Sequence, residues 1–285
     1  MSVLLMTVWL TGCVQEEFES TPSPAGNGIR FTLTVPDVNL PSVSSRTMTG
    51  TGTAKKEDEI ETVDILVFDM SKTPAVFLEW VSATGVTQDL ADNSTVSFSA
   101  VLSPTTASTC IVVVANKELD NIVSGFTKGA TTKVEAMEKM LHTQTGKWLA
   151  DGSTTGGYTR IPMYGEKVIS KITPSMNPIT EINMKRMLAR IDIRNNSVTS
   201  NFMVEEVYLA NYNTTGYIAP AWNTNGQVTE PAPDTPVLPT GSGKMTEEGN
   251  AILYSVNGNT PYDGEIYTFE SLAAGDAGAV KMLLA

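Results

Sequence analysis

Gly28-Ile29-Arg30-Phe31-Thr32-Leu33-Thr34-Val35 sets four large apolar side chains at alternate positions, with Arg and Thr between them. Side chains of an extended chain point to opposite faces in turn. The stretch therefore predicts a half-buried strand with Ile29, Phe31, Leu33 and Val35 inward. Each inward side chain contributes about 1.5–3 kcal/mol on burial, roughly 6–12 kcal/mol together before ordering entropy is subtracted. Pro36 and Pro41 end the strand, because proline has no N–H to give to a ladder. Residues 42–58 are rich in Ser, Thr and Gly, carry Arg46 and Lys55-Lys56, and show no apolar period; they predict an exposed loop.

Working outward, strands are expected at Ile60–Phe68, Val76–Val81, Val96–Leu102 and Thr109–Ala115. The last is apolar from Cys110 to Val114, which predicts a central strand covered on both faces. Helices are expected at Lys117–Val123 and Lys133–His142, the second aligning Val134, Met137 and Leu141. Ile161–Val168 reads as a further strand. After Pro174 and Pro178 a second region opens with Met187–Ile193, placing Met187, Ala189, Ile191 and Ile193 on one face. Strands at Phe202–Leu209, Ala251–Val256 and Ile266–Phe269 follow, around a Pro-, Gly-, Thr- and Asn-rich excursion at 223–250. Short strands separated by turn residues predict a mainly β fold of two tandem β-sandwich domains, 28–180 and 181–285, with a little helix in the first.

The 285 residues are 41% hydrophobic and 18% charged, enough for a sizeable core. A net charge of −12 repels phosphate backbones and argues against nucleic acid as a partner. No stretch reaches the roughly 18 consecutive apolar residues of a membrane-spanning helix. Chemistry is sparse. The single His, His142, is expected at the surface at a helix end, and one His with two separated Cys cannot build the usual zinc sites. Gly241-Ser242-Gly243-Lys244 has Leu238 where a phosphate loop needs its first Gly and Met245 where it needs Ser or Thr, so it reads as a turn. Neighbouring Glu205 and Glu206 point to opposite faces of a strand and cannot act together. The Asp and Asn loops lack calcium-ligand spacing. The reading is a non-enzymatic protein with no catalytic residue, metal or cofactor.

Val3–Leu10 is a short apolar run of signal-peptide length, although no Lys or Arg precedes it. It leads into Leu10-Thr11-Gly12-Cys13, which resembles the lipobox of bacterial lipoproteins, with small residues before a Cys whose thiol accepts a lipid. On this reading residues 1–12 are a signal peptide, Cys13 is lipidated, and 13–27 form a lipidated tether. Cys110 is then left without an intramolecular partner, as a buried inert thiol.

Taken in order, the lipobox Cys, the alternating strand, the loop Arg and Val63-Asp64-Ile65-Leu66-Val67-Phe68-Asp69 resemble the fimbrillin family, the type V pilins of Bacteroides-like bacteria. So do Ile161-Pro162-Met163-Tyr164-Gly165-Glu166, Lys185-Arg186-Met187-Leu188-Ala189-Arg190-Ile191-Asp192-Ile193 and Tyr267-Thr268-Phe269-Glu270. The resemblance implies transthyretin-like sandwiches, passage through the lipoprotein export machinery, and attachment to the outer membrane through lipid. It also implies a trypsin-like, Arg-specific surface protease that cuts behind the first strand. A strand of a neighbouring pilin then fills the vacated groove and an adhesive extracellular fimbrium grows. Arg46 and Thr47 flank the implied scissile bond, 28–46 is the removable strand and cleavage loop, and Ile29, Phe31, Leu33 and Val35 fill the groove. The family continues with more strands beyond the point where this chain ends, so the second domain is expected to be incomplete. Two alternatives remain: a lipid-retained anchor or tip adhesin using loops such as 211–250, or a surface glycan-binding lipoprotein with exposed Tyr212, Tyr217 and Trp222 as a stacking platform.

Overall fold

The computed structural model describes residues 29–35, 57–88, 95–144, 146–148, 159–193, 204–229, 237–239, 244–245, 251–255, 262–272 and 279–284. The first half contains β1 (Ile29–Thr34), β2 (Val63–Asp69), β3 (Val76–Ser82), β4 (Thr84–Gln88), β5 (Thr95–Ala100) and β6 (Thr109–Ala115). Helices α1 (Asp120–Val123) and α2 (Lys133–Lys139) follow, then β7 (Leu141–Thr143) and β8 (Met163–Ile169). Next come β9 (Ile179–Asn183), β10 (Lys185–Arg186), β11 (Ala189–Ile193), β12 (Glu206–Ala210), β13 (Tyr212–Asn213) and β14 (Thr215–Tyr217). Last are β15 (Lys244–Met245), β16 (Ile252–Ser255), β17 (Tyr262–Thr268) and β18 (Lys281–Leu284). The mainly β class with a little helix is as the sequence predicts.

Two sheets build the first half, one ordered β4-β5-β1-β9 and the other β10-β8-β6-β2-β3. They enclose a core made by alternate residues: Ile29, Phe31, Leu33 and Val35 from the first sheet, Val63, Ile65, Val67, Ile111 and Val113 from the second. The intervening Leu66, Phe68, Cys110, Val112 and Val114 face the other way, into a second core with Met137 and Met140 of the α2 segment and with Ile218, Tyr267 and Phe269. The five-stranded sheet is thus a middle layer, which is why β6 is buried at every position. The sequence expectation of a strand covered on both faces holds.

Helix α2 begins at a capping box in which Thr132 and Glu135 satisfy each other's backbone N–H groups. Its first residue, Lys133, lies buried with Nζ 2.6 Å from Glu166, and the Tyr164 hydroxyl donates to the same carboxylate at 2.5 Å. The helix stops at Lys139, short of the expected His142, because residues 141–143 pair with β14 as strand β7. That pairing continues where the N–H of Ile218 donates to the Met140 carbonyl.

Strands β9 and β10 still belong to the first two sheets, pairing with β1 and β8, so the junction expected between 180 and 181 falls inside β9. Their approach to β8 is close: a Cβ at Gly165 would sit 2.7 Å from the Met184 sulfur and 2.9 Å from an Ile182 methyl, so only glycine fits. Beyond them, β11 pairs with β17, and β12 lies between β16 and β18. Val207, Leu209, Tyr212, Ile252 and Ile266 form a third, smaller core, against which Ile191 and Ile193 pack. Ala189 is exposed and departs from the face predicted for it.

Candidate functional site: the groove that holds β1

Strand β1 lies inside its sheet. It runs antiparallel to β5, register Ile29–Ala100 to Thr34–Thr95, and parallel to β9, with Phe31 opposite Ile179 and Leu33 opposite Ile182. Strand β9 holds one residue more than β1 over that interval, a bulge that coincides with a positive φ of 60° at Glu181. The four predicted groove-filling side chains are all in the core: Ile29 is 5% exposed, Phe31 1%, Leu33 0% and Val35 1%. The Phe31 ring stacks on Phe98 of β5 with centroids 5.0 Å apart and planes 5° from parallel. Outward, Arg30 and Thr32 are half-buried and Thr34 is exposed, so the period-2 reading of this stretch is correct residue by residue. Taking β1 away would uncover this apolar trough and leave the facing backbone edges of β5 and β9 unpaired, the geometry that accepts an added strand.

Cys13, Arg46 and Thr47 lie outside the described residues. Cys110 is buried, and burial pushes its thiol up to about 12, which leaves it protonated and unreactive. The aromatic platform is corrected: Tyr212 is buried at 5% exposure, and Tyr217 meets Trp222 edge-to-face at 4.9 Å and 78° rather than offering a flat surface. His142 is corrected as well. It sits in β7, half-buried, with its ring 5.0 Å from Trp148 and 6.4 Å from Phe269.

Burial first, and then the Lys117 ammonium, lower the His142 pKa from its usual 6.5 to about 4. The unfolded chain therefore binds this proton more readily, and the stabilisation gained by keeping the ring neutral is complete above about pH 6.5 and lost as pH falls towards 4. His142→Gln should consequently flatten the decline of the thermal midpoint between pH 6.5 and 5, where most carboxylates stay ionised. Calorimetry of wild type and variant across that interval, with parallel curves refuting the assignment, checks this. The expected difference is roughly 1 kcal/mol after allowance for the exposed part of the ring.

The sequence model of the family described as "Major fimbrial subunit protein (FimA)" matches residues 29–251, from the first residue of β1 almost to β16. The chain belongs to this fimbrial subunit family. Its members are structural proteins of the cell-surface pilus, which gives this FimA-family chain a structural role, fimbrial subunits as partners and a place in cell-surface fimbriae. No curated protein matches. Among solved structures, the chain is similar to a fimbrial assembly protein of Parabacteroides distasonis, with 11% identity over 90% of this chain and 85% of that one, and a TM-score of 0.43. It is also similar to the fimbrial anchor protein Mfa2 of Porphyromonas gingivalis, with 12% identity over 90% and 77% of the two chains and a TM-score of 0.34.

Proposed function

We propose that this FimA-family chain is exported as a lipoprotein acylated at Cys13, cut between Arg46 and Thr47 by a trypsin-like surface protease, and polymerised by donor-strand exchange. A strand of a neighbouring subunit takes the place of β1, and the products are the outer-membrane precursor and the extracellular fimbrium. The observation that carries the reading is the position of β1: an interior strand, buried on one face, and followed directly by the segment that contains Arg46. An edge strand could be shed without consequence, whereas an interior one leaves a groove that binds only another strand well.

The mass of the protein recovered from the cell surface tests this. A chain beginning at Thr47 agrees with the proposal, an intact lipidated chain assigns the anchor role instead, and a chain carrying neither change overturns it. Lipidation is separable: Cys13→Ala, expressed from the natural start, should lose all palmitate labelling and outer-membrane fractionation. Undiminished labelling of that variant would remove Cys13 from the scheme.

A further inference from the structure

The chain re-enters the described structure at Glu57-Asp58-Glu59-Ile60-Glu61, just ahead of β2, and this acidic run is held unusually firmly. Glu57 is buried at 6% exposure, pairs with Arg190 of β11, and accepts a hydrogen bond at 2.8 Å from the Tyr267 hydroxyl of β17. Asp58 pairs with Arg186 of β10, and its carbonyl accepts from Gln88 Nε2 at 2.7 Å. Arg160 bridges the next two carboxylates, Nε 3.2 Å from Glu59 and Nη1 2.6 Å from Glu61. Asn116, at a positive φ of 59°, donates from Nδ2 to the Glu59 carbonyl at 2.7 Å and accepts from the Glu61 N–H at 3.0 Å. Ile60 is buried in the first core between them.

A protease must draw several residues on each side of the scissile bond into extended form, so susceptibility follows the freedom of the backbone rather than the residue type alone. For the Lys56–Glu57 bond, the whole downstream side is this pinned run. For Arg46–Thr47, residues 47–56 separate the bond from it. We propose that residues 57–61, clamped by Arg160, Arg186, Arg190 and Tyr267, are an anchor that withholds the Lys56–Glu57 bond from proteases that cut after lysine, so that cutting ends upstream of β2. The inference rests on reading the segment behind β1 as the processing site. It adds the residues that set where cutting stops, and so keep the entry to β2 attached to β11 and β17 once β1 has gone.

Limited trypsinolysis of the full chain, followed by mass spectrometry, measures cutting after Lys56 relative to cutting after Arg46. A synthetic peptide spanning 42–62 supplies the same ratio without the fold, which cancels trypsin's own dislike of acidic residues after Lys. The folded chain should show a ratio at least tenfold below the peptide's. Arg186→Met with Arg190→Met should raise it at least fivefold while the Arg46 rate stays unchanged. Buried Lys133 reports global unfolding. If it becomes cleavable in the double variant, Tyr267→Phe replaces that variant, and a rise of at least twofold is expected. A native ratio equal to the peptide's, resistance of both bonds, or a ratio unmoved by the substitutions overturns the anchor. Surface subunits that do not begin at Thr47 would count against processing in the cell while leaving the trypsin ratios to decide the anchor.

Discussion

Phe31→Ala in the uncleaved chain should lower the free energy of unfolding by about 3–5 kcal/mol, the range for truncating a well-packed core aromatic. The ring is 1% exposed and stacked on Phe98, and its backbone is paired on both sides, so the site has little room to collapse around the missing atoms. Leu33→Ala, fully buried two residues on, should cost about 2–5 kcal/mol. Thr34→Ala on the outer face should stay within about 0.5 kcal/mol. Denaturant titration of the three variants measures the contrast. Equal, small effects at all three positions would mean that β1 contributes little to the fold, and the groove would lose its physical basis.

Arg46→Ala should leave the thermal midpoint unchanged and abolish incorporation into pili. If cleavage after Arg46 starts maturation, no other basic residue lies between it and β1 to replace it. Cutting alone does not eject the strand, because roughly 6–12 kcal/mol of burial is comparable to the whole stability of a domain. Departure therefore needs an incoming strand or a slow opening, and a processed subunit should keep its severed β1 until a partner arrives. Trypsin should likewise spare Arg30 in the folded chain. Arg46→Ala subunits entering pili with Thr47 at their N-terminus would move the processing role elsewhere.

Patterns with a regular period were legible in the sequence. The alternation in β1 and the unbroken apolar run of β6 identified the strands and their faces, because burial on one or both sides dictates residue type directly. Strand β9 was missed for a physical reason: Ile179 and Ile182 stand three apart, since the bulge at Glu181 breaks the two-residue period. Strand β4 was missed because Thr84-Gly85-Val86-Thr87-Gln88 is held by backbone pairing at an edge and offers the core a single apolar side chain, Val86, too few for a period to show. The extra turn expected of α2 failed at His142, where pairing with β14 outweighed helical spacing. Least legible was the end of the 42–58 segment. Glu57 and Asp58 looked like solvated loop residues, and only their arginine partners, far along the chain, draw Glu57 inside and hold Asp58 half-buried. Lys185-Arg186 and Arg190 stood out as part of a family pattern, but a charge pattern does not disclose which carboxylates it meets.

The hydrogen bond from Tyr267 to Glu57 spans 210 residues, and the Arg190–Glu57 pair spans 133. Closures of that length are made late, since loop entropy must be spent before the contact forms, and folding rates fall as such contacts dominate. Strand β1, the first described element, finds its β9 neighbour only after the whole first sandwich has been synthesised. In a growing chain β1 can pair with β5 once residue 100 is made, but its other edge stays open until residue 183. The sheet is therefore closed at its earliest strand, whose second neighbour is the last of the four to be made.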